Sequence, residues 1–178
     1  MSNYVYIATS IDGYIADRND GIDWLETVPN PDQKDLGFYD FLNRVDAIVM
    51  GRNTYETVLG FGGEWPYPKP VFVCSTTLKT IPESLEDKVF LIKGTAEDIT
   101  RTLDRRGYTN LYIDGGKTIQ GFLQADLIDE LILSKIPVLL GGGTPLFGVL
   151  PGHLEFELLS SKTYLNQIVS LRYRRRRG

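Results

Sequence analysis

LYIDGGKTIQGFL, residues 111–123, is the stretch on which the reading of the fold turns. A short apolar run at 111–113 leads into a glycine pair, Gly115-Gly116, and the pattern beyond it is that of a helix. Two adjacent glycines let backbone approach a ligand closely and leave bare N–H groups at a helix start. Such a corner suits an anion, most often a phosphate. On its own the pair also describes a plain tight connection. A second corner of the same kind, MGRNTYE at residues 50–56, lies upstream. Two such corners in one sheet suggest a dinucleotide.

Around these corners the chain alternates between strand and helix patterns. Residues 5–9 read as a first strand. Asn30-Pro31 reads as the start of a helix, with Asn as cap, Pro in the first turn and Phe38, Phe41, Leu42 and Val45 as its buried stripe. Strands follow at 47–50, 71–75, 89–92 and 111–113. Asn53 with Glu56 resembles a capping box for a helix ending near Gly60. Thr95 and Asp98 start a helix that carries Ile99 and Leu103 and closes at Gly107. Residues 131–136 form a strand ended by Pro137. Runs at 156–163 and 168–174, joined at Leu165-Asn166, make a hairpin. The expectation is a single α/β domain over residues 1–178. It has a mostly parallel central sheet of about eight strands, helices on both faces and a C-terminal antiparallel hairpin. In such sheets ligands bind beyond the carboxyl ends of the strands, where both glycine corners fall.

Composition narrows the function. The chain has 178 residues, the length of one domain with a full-sized core. A net charge of −4 argues against broad nucleic-acid binding. One cysteine, Cys74, and one histidine, His153, cannot supply a usual zinc cluster, so no metal site is expected. No run reaches the length of a membrane span, and the N-terminus lacks a signal pattern, which points to the cytoplasm. The basic end, RYRRRRG, reads as a solvated edge-strand terminus or, alternatively, a phosphate- or nucleic-acid-binding arm.

The usual G-x-G-x-x-G after the first strand is absent. Instead a long polar loop, residues 8–25, follows, with Trp24 near its end; loops of this length are often lids. Gly51 permits close approach, and the helix start behind it favours negative charge. Arg52 suits a phosphate clamp. Ser75-Thr76-Thr77 offer hydroxyls for a ribose or its phosphate, and Lys117-Thr118 suit a pyrophosphate. Asp35 shares a helical face with Phe38, Tyr39 and Leu42, so it should point inward with a raised pKa. A solvated Asp favoured by the helix dipole is the alternative.

In this order, IATSIDGYIA, IVMGRNTYE, VFVCSTT and LYIDGGKTIQGFL resemble the dihydrofolate reductase-like superfamily over nearly the whole chain. The S-x-D-G-x-I-A pattern of Ser10 to Ala16, ADLIDELIL at 125–133 and the GGGTP stretch resemble its riboflavin branch. That branch is the reductase domain of the bifunctional riboflavin-biosynthesis deaminase/reductase. GIDWL and the overall length are most similar to small stand-alone bacterial members. The deaminase motifs are absent, so only a reduction is implied.

The resemblance implies NADPH as hydride donor and a cis Gly115–Gly116 peptide. It implies Ala8 and Ile15 at the nicotinamide, and Gly51, Arg52, Asn53 and Thr54 at the phosphates and ribose from one side. Gly115, Gly116, Lys117 and Thr118 would meet the pyrophosphate from the other. Ser75 and Thr76, with Arg52, would favour the 2′-phosphate. Asp35 would be the catalytic carboxylate, with Trp24 and Ser134 at the substrate. The implied reaction is reduction of a heterocyclic or ribosylamino-pyrimidine compound. Dihydrofolate reductase is the runner-up, because Asp35 matches its pterin-binding carboxylate. Asp114 in place of a third glycine, and Ile119 in place of a frequent Tyr, weaken that branch. An NADPH-binding protein without efficient catalysis and a structural dimerisation module are the other readings. Homodimer formation is compatible with the late strand edges.

Overall fold

Period-two alternation along the central strands sorts the core into two layers. The computed structural model describes residues 1–178. Its elements run β1 (Ser2–Ser10), β2 (Tyr14–Ala16), α1 (Phe38–Leu42), β3 (Ala47–Gly51), α2 (Arg52–Gly60), β4 (Val71–Cys74) and β5 (Val89–Ile92). They continue with α3 (Ala96–Arg105), β6 (Asn110–Asp114), α4 (Gly116–Gln124), β7 (Glu130–Ile136), β8 (Thr144–Pro145), β9 (Phe156–Tyr164) and β10 (Ile168–Arg175). Eight strands form one sheet in the order β5-β4-β3-β6-β1-β7-β10-β9. The first six are parallel, and β10 and β9 extend them antiparallel.

On one face Ala47, Val49, Phe72, Leu111 and Ile113 pack with Ile99 and Leu103 of α3 and with Ile119, Phe122 and Leu123 of α4. On the other, Ile48, Met50, Val71, Val73 and Tyr112 pack with Phe41 and Leu42 of α1 and Tyr55 of α2. Helices therefore cover both faces, as the β-α alternation predicts. The hairpin turn at Leu165 and Asn166 takes φ of +51° and +58°, the doubly left-handed geometry that matches strand twist.

Two local expectations fail for identifiable reasons. Asn30 caps no helix: its side chain closes a turn by accepting from the Lys34 N–H and donating to the Lys34 carbonyl. Left-handed backbone at Gln33 and Leu36 then keeps the chain non-helical until Phe38. The loop after β1 is not open chain. It holds β2, which pairs with β8, and a 3₁₀ turn at Asp23–Thr27.

The basic terminus is neither free nor simply solvated. Arg172 grips Glu130 with two bonds, Arg175 grips Asp126 with two, and Arg177 meets Asp129 at 2.6 Å. Burial pushes the Glu130 carboxyl up, but the guanidinium groups of Arg172 and Arg44 outweigh that and hold it below the usual range. No helix is long and apolar enough to cross a membrane.

Candidate functional site

The carboxyl ends of β3 and β6, neighbours in the sheet, each turn directly into a helix. These two corners face one another. A Cβ on Gly115 would lie 2.5 Å from Thr54 Oγ1 and 3.7 Å from the Gly51 nitrogen. A Cβ on Gly51 would lie 3.0 Å from Thr118 Oγ1. A side chain at Gly116 would meet Ile15 Cδ1 at 2.9 Å. Gly115 is therefore held to glycine by its positive φ and its contact with Thr54, whereas a side chain at Gly51 or Gly116 would press on the end of one neighbouring side chain. Gly115 turns the chain with φ +91°, a region open to glycine. Every peptide bond is trans, including Gly115–Gly116, so the expected cis bond is not present: the positive φ alone redirects the chain.

Both helices behind these corners begin without a side-chain cap. Asn53 is already inside α2, and Glu56 does not reach back to cap it. Glu56 Oε1 instead accepts from Arg52 Nε at 2.6 Å. By contrast, α3 has a complete capping box between Thr95 and Asp98. First-turn N–H groups that lack partners carry the positive end of the helix dipole. Here two such ends converge, while the neighbouring third is neutralised by its own sequence.

They open into a cleft of about 1430 Å³ along the carboxyl edge of the sheet. Ala8, Ile15, Gly51, Arg52, Asn53, Thr54, Ser75, Thr76, Gly115, Gly116, Lys117 and Thr118 all line it. Arg52 spans from α2 to the turn after β4, donating to Thr77 Oγ1 at 2.7 Å. Ser75 Oγ accepts from the N–H groups of Thr77 and Leu78, which fixes that turn. The cleft volume and its length across β5, β4, β3, β6 and β1 suit an extended dinucleotide. The donor set is right for phosphates: bare helix N-termini, Arg52, Lys117 and hydroxyls.

Asp35, Trp24 and Ser134 stand apart from the cleft lining. Asp35 does not sit one turn inside a helix. Its side chain accepts from the Tyr39 and Gly37 N–H groups and so caps α1 from outside. Those bonds lower its pKa, the reverse of the inward, raised carboxyl expected from periodicity. Trp24 is buried with Val28, Ile136 and Ile168, and its indole N–H donates to the Gly21 carbonyl. Ser134 is buried in β7 opposite Ala8.

Three other residues emerge from the geometry. Asp114, at the end of β6, lines the cleft and has no basic partner. Burial raises its carboxyl to about 6, with the Gly115 N–H and the Tyr112 hydroxyl pulling the other way. The signal for it was a charged residue closing an otherwise apolar strand. Tyr67, also on the cleft, is raised by burial and by the Asp114 charge. Asp12 accepts from Ser10 Oγ and from the Leu140 and Gly141 N–H groups, bonds that lower its carboxyl to about 2. It latches the loop after β1 to the glycine-rich segment, and Arg18 adds a bond to the Gly141 carbonyl.

A mostly parallel eight-stranded sheet closed by an antiparallel C-terminal hairpin, with a cleft between two glycine corners, is the fold of the RibD reductase-like domains. The chain belongs to the RibD C-terminal domain family, whose model matches residues 4–170. It is 36% identical to the uncharacterized protein YwjB of Bacillus subtilis strain 168, over 95% of each chain. A solved structure from Shewanella sp. PV-4, provisionally assigned to riboflavin biosynthesis, is 52% identical with TM-score 0.96, covering 99% of this chain and 100% of that one. The fold also matches a Thermotoga maritima diaminohydroxyphosphoribosylaminopyrimidine deaminase/5-amino-6-(5-phosphoribosylamino)uracil reductase. That match has TM-score 0.71 and 16% identity, over 98% of this chain and 56% of that one.

Proposed function

We propose that this protein is an NADPH-dependent reductase acting on a nitrogen heterocycle or a ribosylamino derivative of one. The observation that carries the reading is the convergence of two uncapped helix N-termini, α2 and α4, on one cleft through corners that lie against one another at Gly51 and Gly115. Membership of the RibD C-terminal domain family supports it.

In this reading the first-turn N–H groups of α2 and α4, with Thr54, Lys117 and Thr118, hold the pyrophosphate. Arg52 and the Ser75–Thr77 turn hold the 2′-phosphate, which selects NADPH over NADH. Ala8 and Ile15 hold the nicotinamide carboxamide through backbone groups. NADPH, when bound, supplies the hydride. The apolar wall of Ile7, Ala8, Ile22 and Leu25 excludes water from the reacting end. Asp114 is the proton-handling group: at near-neutral pH it exchanges a proton with the substrate nitrogen or oxygen that hydride transfer leaves basic. Asp35 acts at a distance, by fixing the start of α1, with Trp24 and Ser134 supporting the substrate end from beneath. The Asp12 latch positions the loop over the cleft.

The test is a titration of NADPH and NADH against the wild-type chain and Arg52→Ala. A guanidinium–phosphate bond is worth about 1.5–3 kcal/mol. Arg52→Ala should therefore weaken NADPH by roughly 10- to 100-fold and leave NADH little changed. Equal weakening of both removes Arg52 from the 2′-phosphate site.

A further inference from the structure

The guanidinium of Arg52 is already engaged before any ligand arrives. Arg52 opens α2, and Glu56 stands one helical turn further on; both line the cleft and both side chains are partly exposed. Arg52 Nε donates to Glu56 Oε1 at 2.6 Å, and Arg52 Nη1 donates to Thr77 Oγ1 at 2.7 Å. Thr77 is itself set in place, because Ser75 Oγ accepts from its N–H. The Thr77 bond thus aims the guanidinium from outside its own helix. Glu56 adds something different, a negative charge and a claim on the Nε–H.

An arginine takes a phosphate best through two parallel N–H groups. With Nε held by Glu56, the fork that pairs Nε with Nη2 is closed, and Thr77 takes one of the two hydrogens on Nη1. The carboxylate also stands beside the place of a group that carries about two negative charges at neutral pH. A site shaped for a 2′-phosphate alone gains nothing from an acid there. Glu56 has a second use. Its Oε1 is bonded to Arg52, its one ion-pair partner, and its Oε2 makes no hydrogen bond. In dinucleotide sites a carboxylate accepts from the ribose 2′-hydroxyl, whereas an arginine accommodates the 2′-phosphate. This chain carries both on one helix, in contact with each other.

We propose that Glu56 is a specificity-determining residue that holds down the preference for NADPH over NADH. It competes with the 2′-phosphate for Arg52 and offers the unphosphorylated ribose an acceptor of its own. The inference rests on the cofactor reading above, which puts the 2′-phosphate at Arg52.

The test is calorimetric titration of NADPH and NADH into the wild-type chain and Glu56→Gln. The Gln side chain keeps the length and an acceptor for Nε but removes the charge. The ratio of NADPH affinity to NADH affinity should rise by roughly threefold or more over wild type. A smaller rise overturns the inference, and so does a fall, which is what a residue that only orients Arg52 would give. The ratio is taken within each protein, so a general loosening of the fold cancels. Glu56→Ala, read in the same way, decides the matter if Glu56→Gln does not fold. Wild-type NADPH binding is measured first. Its absence overturns the cofactor reading, whereas binding with an unaltered ratio in the variant overturns the Glu56 assignment alone.

Discussion

A carboxylate at the end of a buried strand titrates differently from one at the mouth of a helix, and this chain contains both. Asp114 is raised to about 6 by burial, whereas Asp35 is lowered by the backbone N–H groups it accepts. Folded Asp114 therefore holds its proton more tightly than the unfolded chain, where the ordinary value is 3.8. Between about pH 4 and 6 the native state binds more protons, so this residue's contribution to stability falls as pH rises through that window. Asp114→Asn should remove that slope, measured as urea midpoint against pH. If Asp114 donates a proton during turnover, the wild-type rate should fall above about pH 6, and the Asn variant should be slow at every pH.

Asp35 shows what residue-level pattern reading misses. Its spacing to Phe38, Tyr39 and Leu42 is right for one helical face, but left-handed Leu36 and Gly37 intervene, so the helix starts after it. Backbone φ is not legible from apolar periodicity. The Arg52 contact had a sequence signal, a basic residue directly behind a glycine corner. Its partner Thr77, from a turn 25 residues away, had only the hydroxyl run as a hint.

At the scale of elements, the proposed cofactor site rests on the difference between capped and uncapped helices. The Thr95–Asp98 box was legible because both partners lie within one turn and nothing competes for them. Asn53 and Glu56 have the same spacing, but Arg52 takes the Glu56 carboxylate. The uncapped start that results is what a phosphate requires. Thr95→Ala should cost about 1 kcal/mol of stability and leave NADPH binding unchanged. Gly115→Ala combines a disfavoured φ with a 2.5 Å clash against Thr54 Oγ1. It should abolish NADPH binding and lower stability by roughly 1–3 kcal/mol, read by calorimetry and chemical denaturation. Retained NADPH affinity in Gly115→Ala would show that the two corners do not form one site.

Across the whole molecule, the candidate cleft and the arginine–carboxylate cluster occupy opposite ends of the sheet. The cleft lies at the carboxyl ends of β1, β3 and β6. The Glu130–Arg172–Arg44 cluster and the paired terminal arginines lie at the amino end of β7. The mostly parallel sheet, two-faced core and hairpin were legible because strand alternation and turn residues are local signals; the strand order β5-β4-β3-β6-β1-β7-β10-β9 was not. The arginine pairing was not, because Asp126 and Glu130 are more than 40 residues from their partners. Glu130→Gln leaves Arg172 short of its carboxylate and should cost roughly 2 kcal/mol, discounted because Arg172 is a third exposed. NADPH affinity should not change, since the cluster is remote from the cleft.

The central claim is that two bare helix starts and Arg52 make a binding site for NADPH. Isothermal titration of NADPH into the wild-type chain tests it most directly, with NADH as the control. The account predicts saturable one-to-one binding and NADH weaker by roughly tenfold or more. Absence of saturable binding at millimolar NADPH, or equal affinity for NADH, would contradict it.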